Sequence, residues 1–329
     1  MKAIVCRKPG RPDVLELEEI DTPSFAEDGL LVKVRASSIN PVDFFSLSRV
    51  GFTASRVSGG FRRKPVVLGT DFAGRVESVG NRVTEFKPGD EVFGGRSGGA
   101  FAEYLSVPAN GAVVHKSASL SFNQAAALPV AAVTALQAVR DHGKVREGQK
   151  VVINGASGGV GSFAVQIAKA FGAHVTAVCS PRNVETARRL GADRLIDYTR
   201  EDFTLSGSYE VIVDVAGNHS WSEYKRVLTP TGIMVAAGGS AHTVWGTNRT
   251  IKHLIGVRMA SLRSTQKAAL FIAKLNKADL LVLQRLLVEG KITPVIDRCY
   301  ELNRVPDAFD YMGEGHAKGK IIINVSRAT

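Results

Sequence analysis

The clearest chemistry in this sequence lies in a turn of small residues, 155–161, which reads Gly-Ala-Ser-Gly-Gly-Val-Gly. Its spacing is Ala-x-Gly-x-x-Gly, a dinucleotide fingerprint with Ala in the first position. Small side chains let the backbone approach a pyrophosphate, and free N–H groups at a helix start hold its charge. We therefore expect a nucleotide to contact Ala156, Ser157, Gly158, Gly159, Val160 and Gly161.

The segments around this turn are those that a nucleotide site requires. Apolar residues 151–153 predict a strand, and an apolar stripe with helical spacing runs from the turn to Phe171 and Gly172. A second apolar strand is expected at residues 175–178. Strand, helix and strand at this spacing predict a βαβ unit with a parallel sheet, and this context favours nucleotide binding over a purely structural turn.

The end of the second strand indicates which dinucleotide binds. An NAD site places an acid there, about 20 residues past the glycines. This chain instead has Cys179, Ser180, Pro181 and Arg182. A hydroxyl and a guanidinium suit a 2′-phosphate, so we predict NADPH as the cofactor, bound through Ser180 and Arg182. The alternative is that Ser180 caps the next helix and Arg182 is solvated.

The length, the cysteine content and the charge of the chain limit the class of protein that it can be. With 329 residues, 44% of them hydrophobic, the chain can build about two domains. Cys6, Cys179 and Cys299 are too scattered for a metal cluster or a disulfide framework, which favours a reducing compartment. The sequence contains neither a long apolar span nor a recognisable leader, so we expect a soluble, cytoplasmic protein without membrane insertion. The net charge of +11 is spread along the chain, which favours a solvated basic surface over nucleic-acid binding.

The pattern of predicted secondary structure changes twice along the chain. Residues 1–121 consist of short β segments with turns, whereas residues 122–293 alternate strands and helices and end in a sixth expected strand at 256–262. Two β segments in residues 294–329 most simply rejoin the first domain. We predict an α/β fold in which a Rossmann doubly wound parallel sheet, residues 122–293, is inserted in a β-barrel domain formed by 1–121 and 294–329. Residues 46–64 suggest a flexible loop.

Motifs along essentially the whole chain carry a family resemblance. They are Asn-Pro-Val-Asp at 40–43, Leu-Gly-Thr-Asp-Phe-Ala-Gly at 68–74, Phe-Lys-Pro-Gly-Asp-Glu-Val at 86–92, Leu-Pro at 128–129, Thr-Ala at 134–135 and the glycine turn at 155–161. Together they resemble the medium-chain dehydrogenase/reductase superfamily. This resemblance implies that the β domain is GroES-like.

The same resemblance bears on zinc. Zinc alcohol dehydrogenases of this superfamily have a Gly-His-Glu where this chain has Gly69, Thr70 and Asp71, and four closely spaced cysteines hold a second zinc. Thr70 cannot replace a His ligand, and no cysteine lies between Cys6 and Cys179, so neither zinc site is expected. The chain is therefore similar to the zinc-free quinone oxidoreductase branch. Residues 174–180, 190–193 and 196–198 resemble, in particular, the reticulon-interacting oxidoreductase and alkenal/enone reductase group.

The resemblance also implies roles for individual residues. Asn40 matches an active-site Asn that contacts nicotinamide or substrate oxygen, although it could instead fix a turn before Pro41. Thr134 matches a Thr beside the nicotinamide, and Tyr198 is expected near the adenosine phosphate. Lys318 and Lys320 would face cofactor or substrate, with surface charge as the favoured alternative. Strand ends at the nucleotide crevice, or plain turn positions, are expected at Val215, Ala216, Gly217, Ala237, Gly238 and Gly239.

The acceptor is indicated least directly. The loop after Asn40 has no Tyr to donate a proton, and Ser46 and Ser48 are weak substitutes. We expect its phenylalanines to form a flat apolar slot: Phe44, Phe45, Phe52 and Phe61. The predicted function is NADPH-dependent hydride transfer to a quinone or to the C=C bond of an α,β-unsaturated carbonyl. The family resemblance also implies a homodimer that pairs through the strand expected at residues 256–262. An NADPH-binding scaffold or nucleic-acid-binding protein is the alternative.

Overall fold

A computed structural model gives the structure of the chain, and the residues that it describes are 1–48, 51–53, 66–238, 256–257, 259–261, 264–315 and 317–325. Most of the expected loop 46–64, with Phe61, and the predicted cofactor residue Gly239 lie outside them.

The strands of the described residues are, in chain order, β1 (Lys2–Cys6), β2 (Leu15–Glu19), β3 (Gly29–Ile39), β4 (Val66–Val67), β5 (Asp71–Val79), β6 (Glu91–Gly95), β7 (Tyr104–Pro108), β8 (Val113–His115), β9 (Lys150–Asn154), β10 (His174–Cys179), β11 (Arg194–Asp197), β12 (Tyr209–Asp214), β13 (Leu228–Ala236), β14 (Lys267–Leu270), β15 (Ile296–Glu301) and β16 (Lys320–Asn324). Their α-helices are α1 (Pro41–Leu47), α2 (Phe122–Ala126), α3 (Pro129–Leu136), α4 (Gly159–Ala170), α5 (Val184–Arg189), α6 (Trp221–Val227), α7 (Lys277–Val288) and α8 (Val305–Gly313).

The chain divides into two compact units. The first comprises Met1–Val130, Leu275–Val288 and Ile296–Thr329, and the second comprises Ala131–Lys274 and Glu289–Val295. The second unit is therefore an insertion in the first, as the sequence predicted for the Rossmann part of the fold. The domain boundaries placed at residues 121 and 294 remain a prediction.

The first unit is built around β3, whose 11 residues are long enough to hold three neighbours. β5 pairs with one edge of β3, while β16 and β7 share the other edge at its opposite ends, all antiparallel. Because β16 comes from the end of the chain, the tail rejoins the N-terminal part, as expected. This register places Ser38 beside Asp71 of β5 and Ile322 of β16, so polar residues distant in sequence meet at the end of β3.

The second unit is a six-stranded parallel sheet in the order β11-β10-β9-β12-β13-β14. Its central strand β9 pairs with β10 on one side and β12 on the other. Val151, Val152 and Ile153 are fully buried because a parallel sheet is covered on both faces. When the six strands are numbered in chain order from β9, their order in the sheet is that of a Rossmann sheet. The direction of winding reverses between β9 and β12. Ligands of such sheets bind where the winding reverses, beyond the carboxyl ends of the strands.

The strand expected at residues 256–262 is wrong. Its described residues, 256–257 and 259–261, are helical, and the sixth strand is β14, parallel to β13. Val257 and Ser261 are buried, whereas Met259 is 60% exposed. Burial at a four-residue spacing is helical, because a strand would bury every second residue. The expected pairing of two subunits through a strand at 256–262 therefore has no support from these residues.

Candidate active site

The glycine turn follows β9 directly, as the fingerprint predicted. Gly155 has φ +88°, in the left-handed region that favours glycine. A Cβ on Gly161 would lie 2.1 Å from the Gly155 carbonyl oxygen, so Gly161 lets α4 pack against the turn. These two glycines are explained by the protein's own backbone.

Gly158 has no such explanation within the protein. Its φ of −76° suits any residue, and the nearest atom to a Cβ built there is the Gly155 oxygen at 3.8 Å. It is the N-cap of α4 and offers no side chain to the N–H groups of the first helical turn, which have no acceptor within the helix. Room for added atoms at Gly158, beside donors that have no acceptor within the helix, fits the pyrophosphate of a dinucleotide.

A buried carboxylate, which the sequence analysis missed, fixes the neighbouring loop. The side chain of Asp214, at the end of β12, is 2% exposed. Its Oδ1 accepts hydrogen bonds from Asn154 Nδ2 at 2.9 Å and from the Gly217 N–H at 3.0 Å, and its Oδ2 accepts one from the Tyr224 hydroxyl at 2.6 Å. Asp214 therefore links the end of β9, just before the glycine turn, to the loop after β12. Only its position at a strand end could have indicated this role.

The predicted crevice residues are found at these strand ends. Half-buried Val215, Ala216 and Gly217 follow β12, while buried Ala237 and exposed Gly238 follow β13. The structure thus brings their segments to the same edge of the sheet as the glycine turn, because parallel strands end together.

The residues expected at the 2′-phosphate follow β10 and β11. Ser180 is half-buried, and its Oγ accepts a hydrogen bond from Asn183 Nδ2 at 3.0 Å rather than capping a backbone N–H. Arg182 is exposed in the next turn. The N–H of Tyr198 donates to the Cys179 carbonyl at 3.3 Å, which places Tyr198, 61% exposed, beside the end of β10. A hydroxyl, a guanidinium and a phenol therefore follow adjacent strand ends, a donor set that fits a phosphate.

A second polar group, which we call the Asn40 cluster, is buried in the first unit. Its members are Ser38, Asn40, Asp43, Thr70, Asp71 and Lys320. Asn40 is the N-cap of α1, in a capping box with Asp43, so it fixes the turn before Pro41 as the alternative expected, and at 1% exposure it is also buried. Its Nδ2 donates to Asp71 Oδ2 at 2.9 Å and to the Ser38 carbonyl at 3.3 Å, and its Oδ1 accepts from Lys320 Nζ at 2.5 Å.

The two carboxylates of the cluster have different partners. Asp71 accepts from Ser38 Oγ at 2.7 Å and from the Val130 N–H at 3.0 Å, and its Oδ2 lies 3.6 Å from Lys320 Nζ. Asp43 accepts from the Asn40 N–H at 2.8 Å and from Thr70 Oγ1 at 2.9 Å.

Burial governs the protonation of this cluster. It raises the pKa of Asp71, and it raises the pKa of Asp43 to about 7. It also lowers the pKa of Lys320, against the attraction of the two carboxylates. Each shift has the sign expected when a charged form loses its water.

Lys320 contradicts the surface position favoured for it, because it is 3% exposed and belongs to the Asn40 cluster. Lys318 is exposed, and its N–H donates to Asp297 Oδ2 at 2.8 Å. Thr134 is half-buried in α3 and belongs to the second compact unit, so the structure groups it apart from Asn40.

The expected slot of phenylalanines is wrong. Phe44 and Phe52 are buried, and Phe44 packs against Phe309 with ring centroids 4.7 Å apart. Because α1 turns one face to the core, only Phe45 of the described three is exposed, at 42%. Ser46 and Ser48 donate to carbonyls of their own segment, Val42 and Phe45.

No group of three or more His, Cys, Asp or Glu side chains that could hold a metal ion is found among the residues that the structure describes. No helix in that part of the chain is long and apolar enough to cross a membrane.

Comparison with known proteins agrees with this architecture. Residues 26–118 match the alcohol dehydrogenase GroES-like domain, and residues 190–323 match the zinc-binding dehydrogenase family. The chain is 35% identical to the mitochondrial NAD(P)H oxidoreductase RTN4IP1 of Bos taurus, over 90% of this chain and 81% of that protein. It is 34% identical to the chloroplastic NADPH-dependent alkenal/one oxidoreductase of Arabidopsis thaliana, over 98% of this chain and 79% of that protein.

A solved structure is also similar over its full length. The quinone oxidoreductase of Coxiella burnetii superimposes with a TM-score of 0.85 at 32% identity, covering 99% of both chains. This match confirms the predicted fold class, a Rossmann sheet inserted in a GroES-like domain. The chain belongs to the quinone oxidoreductase branch of the medium-chain dehydrogenase/reductase superfamily, whose members are NAD(P)H-dependent oxidoreductases.

Proposed function

We propose that this chain is an NADPH-dependent reductase that directs a hydride to a quinone or to the C=C bond of an α,β-unsaturated carbonyl, without zinc. The observation that carries the proposal is Gly158, which neither packing nor backbone geometry requires, at the uncapped start of α4. Room at that point, beside N–H donors that have no acceptor within the helix, supports a dinucleotide pyrophosphate.

The choice of NADPH rests on Ser180, Arg182 and Tyr198. These side chains follow β10 and β11, and an acid is absent from the position where an NAD site places one. A guanidinium forms charge-assisted hydrogen bonds to phosphate oxygens, which the 2′-hydroxyl of NADH cannot replace. Asp214 supports the site indirectly, since it holds the loop with Val215, Ala216 and Gly217 in place.

NADPH, when bound, supplies the hydride. Asn40 and Thr134 remain our candidates for contacts with the nicotinamide and the substrate oxygen. To donate to the substrate oxygen, Asn40 must exchange one of the bonds that its Nδ2 makes within the cluster, because both Nδ2 hydrogens are in use. The bond from Nδ2 to the Ser38 carbonyl is the longest of the three, at 3.3 Å, and is the most easily exchanged.

Zinc independence is supported by the donors that are present. Where a zinc enzyme has a His ligand, Thr70 has a hydroxyl that donates to Asp43 at 2.9 Å. A hydroxyl committed to a carboxylate in this way is a poor replacement for an imidazole ligand.

The acceptor class is supported by the related proteins and by α1. The Coxiella burnetii and Arabidopsis thaliana proteins are named for quinones and for alkenals or enones. Val42 and Phe45, on either side of buried Asp43, are 46% and 42% exposed. They offer an apolar surface to a conjugated molecule, in place of the expected slot of four phenylalanines. We also propose a homodimer and a cytoplasmic location.

One panel of acceptors tests this function. Purified protein is given NADPH or NADH, in parallel, with quinones and with enones, and the loss of reduced cofactor is followed. We expect faster oxidation of NADPH than of NADH with at least one acceptor. If no acceptor supports oxidation and the protein retains RNA in a salt-sensitive way unaffected by NADPH, the nucleic-acid-binding alternative is correct instead.

A further inference from the structure

The Asn40 cluster holds more negative than positive charge. Asp43, Asp71 and Lys320 are 2%, 0% and 3% exposed. Two carboxylates and one ammonium leave one negative charge uncompensated if all three groups are ionised. A buried, unpaired charge is costly, so the cluster favours one additional proton.

The geometry indicates which carboxyl group holds that proton. Lys320 Nζ lies 3.6 Å from Asp71 and also donates to Asn40. The hydrogen bonds of Asp43 come from neutral donors, the Asn40 N–H and the Thr70 hydroxyl. Asp43 is therefore the carboxyl group that gains less from the ammonium and takes the proton more readily.

Thr70 connects this proton to the outside of the cluster. At 8% exposure it is the least buried of the six members of the cluster. When Asp43 is ionised, Thr70 Oγ1 donates to its Oδ1. When Asp43 is protonated, the same contact can reverse, with Asp43 donating and the Thr70 hydroxyl pointing its own hydrogen elsewhere.

We propose that Asp43 and Thr70 form the proton donor of the reductase, with Thr70 giving a proton to the reduced substrate and Asp43 replacing it. This inference rests on the proposed function and supplies a proton donor other than Ser46 and Ser48, whose hydroxyls bond to their own segment.

The step balances for an enone. The hydride that NADPH would supply forms a C–H bond at the β carbon as a C–H bond of the reduced cofactor and the C=C π bond of the enone break, so the cofactor is oxidised and the enone reduced by two electrons. The Thr70 O–H bond breaks as its proton forms a C–H bond at the α carbon, and the Asp43 O–H bond breaks as that proton passes to Thr70 Oγ1. Asp43 regains a proton from water through Thr70 between turnovers.

The pH dependence follows from the protonated form of Asp43. Burial raises its pKa to about 7, and the two charged groups acting on it are Asp71, which raises the pKa, and Lys320, which lowers it. Below that pH the carboxyl group can supply a proton, and above it the carboxylate cannot. The enone kcat therefore falls as pH rises through about 7.

The test compares Thr70→Val, Thr70→Ser and Asp43→Asn with a matched control, Thr204→Val. Thr204 is also buried and donates to an aspartate, Asp202, at 2.8 Å, but in the second unit. We expect Thr70→Val to lower the enone kcat about a hundredfold, while Thr70→Ser and Thr204→Val stay within about threefold of wild type. Asp43→Asn should have a low kcat without the fall near neutral pH. A quinone, whose reduced form water can protonate, should be less affected.

Infrared difference spectra of the protein without substrate provide a second measurement. Between about pH 6 and pH 9, wild type should lose the C=O band of a protonated carboxyl group. Asp43→Asn should lack this band, Thr70→Val should shift it and Thr204→Val should leave it unchanged. This signal does not depend on turnover, so it separates the proton donor from the reaction.

Each outcome decides the proposal. Two results would refute the transfer of a proton from Asp43 through Thr70, which we call the relay, and leave the proposed function standing. One is a Thr70→Val enzyme with the wild-type enone kcat, and the other is a wild-type protein without the titrating band. If none of the acceptors supports NADPH oxidation by the wild-type protein, the proposed function is refuted, and the relay is refuted with it. If Thr70→Val does not fold, a wild-type enone kcat that is flat across the same pH range refutes the relay.

Discussion

The two polar regions of this molecule are assembled in opposite ways. The glycine turn is a continuous stretch, 155–161. It offers backbone N–H groups, and its glycines leave room beside them because they have no side chains. The Asn40 cluster is made of side chains from three separate parts of the chain, and 280 residues separate Asn40 from Lys320. The turn leaves backbone N–H groups at the start of α4 without an acceptor in the helix, whereas the cluster satisfies most of its donors internally.

This difference teaches how each region responds to change. A site made of backbone tolerates substitution unless a new side chain fills the space, and then it loses the ligand before it loses the fold. A buried network of charges is coupled, so removing one member leaves another without its partner. Substitution of Gly158, where a Cβ has room, should therefore report on cofactor affinity, and removal of a charged member of the cluster should report on stability.

The largest effect is expected for Lys320→Met. Removing the ammonium leaves Asp71 buried without its positive partner, which should lower the free energy of unfolding by about 3 to 5 kcal/mol in urea titrations. Lys318→Met is the matched control, because Lys318 is exposed two residues away and should change stability by less than about 0.5 kcal/mol. Equal effects of the two substitutions would show that the cluster is not a coupled network.

A smaller effect is expected for Gly158→Ala. The added Cβ has room in the protein, so the melting temperature should stay unchanged, while the Kd for NADPH should rise about tenfold because the Cβ occupies the space of the pyrophosphate. Gly161→Ala is the contrasting variant. Its Cβ would lie 2.1 Å from the Gly155 oxygen and should lower the melting temperature. Unchanged NADPH affinity in Gly158→Ala would contradict the proposal that the glycine turn binds the pyrophosphate.

The same contrast explains what the sequence could predict. The turn, the βαβ unit and the returning tail depend on local pattern and strand order, and all three are confirmed. The partners of Asp43 and Lys320 depend on the register of β3 with β5 and β16, which no local pattern encodes. For Lys320 the sequence favours surface charge over a contact with cofactor or substrate, because a lysine is rarely buried without a partner and its partners here are distant in sequence. The sixth strand was misplaced because a short apolar run fits helix and strand alike.

Cofactor choice is the central claim, and titrating NADPH and NADH into wild type and Arg182→Ala tests it most directly. Wild type should bind NADPH at least about tenfold more tightly than NADH, and Arg182→Ala should lose that preference while its NADH affinity stays the same. Arg189→Ala, an exposed arginine at the end of α5, is the control and should keep the preference. Equal affinities for the two cofactors in wild type would contradict the account.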